Sequence, residues 1–313
     1  MCIRDRNLIF LCAFFILQKT FSMKKYQIQN EYLQVRANLK GAELANIFSP
    51  KKNIEYVWKA DSKYWGRHSC ILFPTVGKVN NDAYRIGEKN YELKQHGFAR
   101  NMEFTLVEHH STSMLFELKS SSSSLDLYPY QFRLTVGYEL LENKVKIIYA
   151  VENTDTQAIY FSIGGHPGFN CPLLPDEKRS DYTLVFNQKE TAVRHLLDSG
   201  LFNGKTKLVL DENSRIPITD NLFDEDALVF RNLKSDEVFL ENGQGEKVLT
   251  FNFSGFPDLG IWSKNSEAPF ICIEPWFGLA DKVDADWDFR EKDGVIKLEK
   301  GKIFECVHSV IIH

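Results

Sequence analysis

Beyond Tyr26 the chain is one short run after another in which every second residue is apolar, each run closed by polar residues, Gly, Asn, Asp or Pro. Side chains of an extended strand alternate between its two faces, so a period of two specifies half-buried antiparallel strands. Long helical periodicity is largely absent. In "QFRLTVGYEL" the alternation passes through Phe132, Leu134, Val136 and Tyr138, and in "KVKIIYAVEN" through Val145, Ile147 and Tyr149. The polar "LENK" between them marks a hairpin. Further runs are "YLQVRAN", "AELANIFSP", "SMLFELKS", "AIYFSIG", "YTLVFN", "KLVLD", "EVFLENG", "KVLTFNF", "LGIWSK", "PFICIEP" and "KIFECVHSVII". This exceeds the strand number of an immunoglobulin-type sandwich. The expected fold is all-β, with two large antiparallel sheets packed face to face.

The 313 residues include 24 Phe, 12 Tyr and 5 Trp, material enough for one large core. No fixed-period repeat or Pro-rich boundary divides the sequence, so residues 23–313 are expected to form a single domain. The serine run at 120–124 reads as a loop. The acidic stretch 284–294, "DADWDFREKDG", lacks the glycine and closing glutamate of a calcium loop and reads as a solvated one. At the N-terminus, Arg4 and Arg6 precede an apolar run from Leu8 to Leu17 that imitates a secretory leader. The run is too short to span a bilayer and no small-x-small cleavage site follows it. A true start at Met23 is the favoured alternative, and residues 1–22 are expected to lie outside the fold.

The 38 basic residues are balanced by 42 acidic ones, and no stretch interleaves Lys and Arg with aromatics. A nucleic-acid partner is not expected. Cys2, Cys12, Cys70, Cys171, Cys272 and Cys306 are far apart, with no CxxC pair and no zinc-like spacing. They read as reduced thiols of a cytoplasmic protein with no metal, cofactor or membrane association. His109 and His110 sit in a polar stretch, and His195, His308 and His313 have no supporting context.

Three segments combine a titratable residue with Gly or Pro and neighbouring aromatics, the mixture found where strands end at a polar cleft. They are "QHGFAR" (residues 95–100), "GGHPGFN" (residues 164–170) and "CIEPWFGLAD" (residues 272–281). A lone histidine in a turn is more often structural than catalytic, and a lone glutamate before proline more often a solvated strand end. Together, and with "ILFPTVGKV", "LYPYQFRLTVGYEL" and "LGIWS", these segments resemble the aldose 1-epimerase (galactose mutarotase-like) superfamily, in particular its lactose-operon-associated bacterial branch. The resemblance runs from about Met23 to the C-terminus.

It implies a β-supersandwich whose concave face binds a monosaccharide, worked by a monomer or weak homodimer. It assigns Glu274 as the base at the anomeric hydroxyl, His166 as the acid at the ring oxygen and His96 as the residue that positions the sugar. Lys78, Arg100, Asn170 and Trp276 are the candidate substrate contacts. Lys78 stands near where better-known mutarotases carry an arginine, and no counterpart is evident for the acidic residue that helps define galactose preference. Arg100 is suited to touch substrate or to pair with a carboxylate, the pairing being favoured. Trp276 and Phe277 suit stacking on a sugar or packing in the core, while Phe98 and Phe169 read as core or cleft wall. The rival functions are a non-catalytic monosaccharide sensor and a hexose 6-phosphate 1-epimerase, the latter calling for an arginine cluster where only Arg67 and Arg100 lie near.

Overall fold

The structure, a computed structural model, describes residues 25–286 and 288–313. The leader or mis-called start expected at 1–22 lies outside these residues. Fourteen strands form one antiparallel sheet. It starts at Ser69–Leu72 and passes through Ile163–Asn170, Phe270–Phe277, Asp258–Trp262, Leu228–Arg231 and Thr183–Asp198. It continues through Glu237–Glu241, Lys247–Asn252, Ile303–Ile312, Lys144–Asn153, Phe132–Leu141 and Ser113–Lys119 to Thr105–His109. Leu201–Pro217 pairs with Thr183–Asp198 off this path. Lys25–Gln29, Gln34–Asn38, Leu44–Ser49 and Ile54–Glu55 make a separate four-stranded sheet. Among the described residues no helix is long and apolar enough to cross a membrane.

The two large sheets expected from sequence are two halves of one sheet folded onto itself. Strand Ile163–Asn170, near one end, faces strands far along the order: a Cβ added to Gly165 would come within 2.9 Å of Tyr149 Oη and 3.1 Å of His308 Cε1. The Phe169 and Phe251 rings meet edge-on at 6.1 Å, and Phe73 lies 5.0 Å from Phe132. The inward faces fuse into one core that includes Ile71, Val136, Ile147, Phe169, Ile273 and Val310. The architecture is the β-supersandwich. The expected hairpin pairs Phe132 with Asn153 through to Leu141 with Lys144 without a register shift.

Two expected loops are ordered more tightly. The serine run forms a helical turn, Ser122–Leu125, because Ser121 and Ser124 close a capping box, each side chain accepting the other's backbone N–H at 3.3 and 2.8 Å. Within 284–294, Asp288 accepts from the backbone amides of Gly87 at 2.6 Å and Arg290 at 3.0 Å, and Phe289 is buried. That stretch is anchored at Asp288, Phe289 and Lys292, while Asp284, Asp286, Arg290, Glu291, Asp293 and Gly294 are exposed as expected of a solvated loop. Cys70, Cys171, Cys272 and Cys306 are buried free thiols.

His308 sits in the core, its ring 5.3 Å from Phe251 and 5.4 Å from Tyr149. Burial holds its pKa down to about 3, against 6.5 for a free imidazole. Below 6.5 the unfolded chain therefore takes up a proton that the folded chain refuses, and the stability contributed by the neutral ring drains away as pH falls towards 3. In urea denaturation between about pH 6 and pH 4, His308→Leu should show a stability slope shallower than wild type by one proton, about 1.4 kcal/mol per pH unit. Equal slopes would mean that His308 titrates inside the fold.

Candidate active site

The outer face of the same sheet half carries the chemistry. Along Phe270–Phe277, Ile271 and Ile273 enter the main core, whereas Cys272 and Trp276 belong to smaller apolar clusters on the opposite face, which Glu274 shares. Along Ile163–Asn170, His166 lies between two glycines whose missing side chains make room for tryptophans. A Cβ on Gly164 would meet Trp276 Cδ1 at 2.8 Å, and one on Gly168 would meet Trp65 Cζ3 at 3.1 Å. The strands pair Gly164 with Trp276, and Gly260 with Glu274.

These strands floor a cavity of about 530 Å³. His96, His166, Glu274, Arg100 and Trp276 line it, so the structure gathers five of the residues singled out in the sequence. His166 Nε2 lies 3.4 Å from Glu274 Oε1, and the His96 and His166 rings meet edge-on at 5.5 Å. His96 has the left-handed φ of +66° and is clamped by Gly77: its amide donates to Gly77 O at 2.8 Å, and the Gly77 amide donates to its Nδ1 at 3.1 Å. With Nδ1 accepting, a neutral His96 carries its proton on Nε2 and is a donor there.

Burial dominates the electrostatics. It pushes the Glu274 carboxyl well above the ordinary range, a shift reinforced by the charge of Asp226 and opposed by the indole of Trp276. It depresses His166 to about 3, with Arg100 adding to the effect. His96 is pushed well below 6.5 by burial, then by His166 and Arg100. The resting pair is therefore neutral, one mobile proton shared between an imidazole and a carboxyl. His166 Nδ1, Glu274 Oε2, Trp276 Nε1 and Arg100 Nε are buried without hydrogen-bond partners. Cys272 Sγ joins His166 and Glu274 in a cluster within 4.8 Å. Burial and the Glu274 charge push its thiol far up, so it is a neutral wall rather than a thiolate ligand.

Two expected substrate contacts do not reach the cavity lining. Asn170 ends its strand away from the cavity and donates its amide to the carbonyls of Glu55 at 2.9 Å and Val57 at 3.2 Å, a structural tie. Lys78 donates to Ser199 O at 3.4 Å and latches the hairpin tip between Thr183–Asp198 and Leu201–Pro217. Arg100 is corrected the other way. Its Nη2 donates to Gln95 O at 2.6 Å, and among the described residues it forms no ion pair, leaving the guanidinium at the cavity. Phe277 packs against Phe256 and Phe304 in the core, and Phe98 and Phe169 are buried there too.

The sequence reading missed Trp65, Asp226 and the hairpin residues Leu197 and Phe202, all of which line the cavity. An acidic residue thus does face the site. Asp226 sits among three acids in "FDEDAL", and nothing in their order tells which one turns inward. Arg194 decides it: this buried guanidinium gathers the carbonyls of Glu225, Asp226 and Ala227, fixing Asp226 at φ +69°.

Residues 24–286 match the aldose 1-epimerase family. The chain belongs to that family. It is 35% identical over 281 residues to the plasmid-encoded protein LacX of Lactococcus lactis subsp. lactis, covering 87% of this chain and 94% of that protein. A galactose mutarotase related enzyme from Lactobacillus acidophilus superposes with a TM-score of 0.89 at 34% identity, covering 93% of this chain and 97% of that one. A galactose mutarotase-like protein from Lactobacillus casei gives 0.87 at 31%, covering 93% and 100%.

In this family member the floor depends on missing side chains. A Cβ on Gly260 would stand 2.4 Å from Trp276 Cζ2, and the indole is packed too tightly to retreat freely. Gly260→Ala should cost about 1–3 kcal/mol of stability in chemical denaturation, as overpacking does. A variant of unchanged midpoint would show that the indole has room to move.

Proposed function

We propose that this chain is an aldose 1-epimerase that interconverts the α and β anomers of a free aldohexose by acid–base ring opening. The observation that carries the reading is the 3.4 Å separation of His166 Nε2 from Glu274 Oε1. In a cyclic hemiacetal the hydroxyl that loses a proton and the ring oxygen that gains one are bonded to the same carbon. An acid and a base serving both must be close neighbours, as these two are.

In the forward step Glu274 removes the proton of the anomeric hydroxyl and the carbonyl forms at C1. The bond from C1 to the ring oxygen breaks, and that oxygen takes the proton from His166. The resting acid–imidazole pair first passes its proton from Glu274 to His166, so that it enters the step as carboxylate and imidazolium and leaves as carboxylic acid and imidazole, with zero net charge throughout. Rotation about C1–C2 and the reverse transfers onto the other face give the second anomer. His96 supplies its Nε2–H to a sugar oxygen, while Arg100, Trp276 and Asp226 form the surrounding walls. No further reactant is required, and one chain supplies every residue of the cavity, so a monomer suffices.

Free sugars are favoured over hexose 6-phosphates because Arg100 and Lys264 are the only lysine or arginine side chains among the described lining residues. Arg67 is engaged by Arg100 O at 3.2 Å and the Asn101 side chain at 2.6 Å. Buried free thiols fit a reducing compartment, and we place the protein in the cytoplasm.

Polarimetry on freshly dissolved α-D-glucose and α-D-galactose tests the reading. Wild type should speed the approach to equilibrium, and Glu274→Gln or His166→Asn should each lower kcat by a factor of about 10²–10⁴, the usual contribution of a positioned acid or base. Absent turnover with monosaccharide binding retained in calorimetry would point instead to a sugar sensor.

The pH dependence is a separate test. The pair keeps its single proton between the lowered pKa of His166, about 3, and the raised pKa of Glu274. The profile of kcat/KM should therefore be flat through pH 6.5, the ordinary histidine value, with its acid limb well below. A limb centred near 6.5 would refute the buried-pair account.

A further inference from the structure

In the proposed epimerase, His166 must present Nε2 to a ring oxygen in one fixed orientation. A catalytic imidazole is commonly aligned by a hydrogen bond to its other nitrogen, which also selects the tautomer. No neighbouring residue gives His166 such a bond, its Nδ1 being buried without a partner outside its own backbone. Three rings contact it instead. Trp65 lies parallel over its face at 4.6 Å and 24°, while Trp262 and His96 stand edge-on at 5.7 and 5.5 Å.

Trp65 is itself fixed. Its carbonyl accepts from the Trp58 indole at 2.8 Å, its ring is parallel to Phe270 at 5.8 Å, and its edge lies against the space left by Gly168. Its backbone amide donates to Asp61 O at 3.0 Å.

We infer that Trp65 is the positioning residue for His166, holding the imidazole by ring stacking where no neighbouring residue hydrogen-bonds its Nδ1. The inference rests on the epimerase reading only for its kinetic consequence. The π face that aligns the neutral ring also favours the cationic ring, as an aromatic face attracts a cation. Trp65 thus serves both states that His166 passes through without exchanging a proton.

The test compares Trp65→Leu with Trp65→Phe, which keeps a π face. In mutarotation assays, Trp65→Leu should lower kcat at least about tenfold with KM within about threefold, the signature of a displaced catalytic group rather than a lost binding surface. Trp65→Phe should retain kcat within about threefold of wild type. If Trp65→Leu does not fold, Trp65→Met, long and apolar but without a π face, takes its place. Long-range ¹H–¹⁵N correlation of the histidine side chains at neutral pH reads the same inference without turnover. Wild type and Trp65→Phe should show His166 in a single tautomer, and the aliphatic variant an averaged one. A raised KM at unchanged kcat would make Trp65 a sugar platform instead, and a single His166 tautomer in the aliphatic variant would overturn the positioning role. Should wild type turn over no sugar, the epimerase reading fails while the nitrogen shifts still decide this one.

Discussion

The strands that carry His166 and Glu274 are buried on both faces, and most of what distinguishes this molecule follows from that. One face closes the main core and the other floors the cavity, so neither can take the polar-out alternation of an ordinary sandwich strand. Side chains on the two faces compete for space with large neighbours, and the sequence yields by deleting them. Gly165 gives way to Tyr149 and His308 on the core side, whereas Gly164, Gly168 and Gly260 give way to Trp276 and Trp65 on the cavity side. Indole rings lying over bare backbone make a stiff, apolar floor. Only within such a floor can a carboxyl and an imidazole be held in contact and kept from water.

The same burial sets their charge. An isolated carboxylate or imidazolium under these surroundings would be expensive, which is why Glu274 is shifted up and His166 down. Paired, they can exchange roles at constant net charge in the proposed reaction, since what the sugar gives to one group it takes from the other. Dry surroundings therefore penalise single ionisation and leave the coupled transfer little affected. Arg100, beside the pair and without an ion-pair partner among the described residues, opposes protonation of both histidines. This biases the resting site towards neutral imidazoles.

The strand pattern and the three chemical segments were legible because each depends on local order: alternation for the strands, glycine and proline around a titratable residue for the site. Sequence order does not reveal whether two packed layers are separate sheets or one sheet folded over, because that depends on which edges pair. Asn170 was misread for a related reason. It shares its segment with the cavity residue His166, but its amide is claimed by two carbonyls of a neighbouring chain segment. Lys78 reaches Ser199, more than a hundred residues away in sequence. Asp226 and Trp65 went unseen because their orientation comes from Arg194 in one case and from a cluster of rings in the other.

This difference in legibility follows the mechanical division of the site. The floor is built from strands hydrogen-bonded on both edges, and His96 at its edge is locked by two hydrogen bonds to Gly77 in a left-handed backbone that costs about 1–3 kcal/mol to hold. The far wall comes from a long hairpin and the turn bearing Asp226, tied by Lys78 to Ser199, by Arg194 to the carbonyls of residues 225–227 and by backbone bonds of Phe202 to Asp281 and Val283. In the proposed reaction proton transfer tolerates little displacement, so its residues belong on the floor, where strand register places them. Recognition of the remaining hydroxyls tolerates more and can be altered without moving the acid or the base. In the proposed epimerase, a wall carried on elements other than the acid–base strands is where sugar preference can change while the reaction is retained.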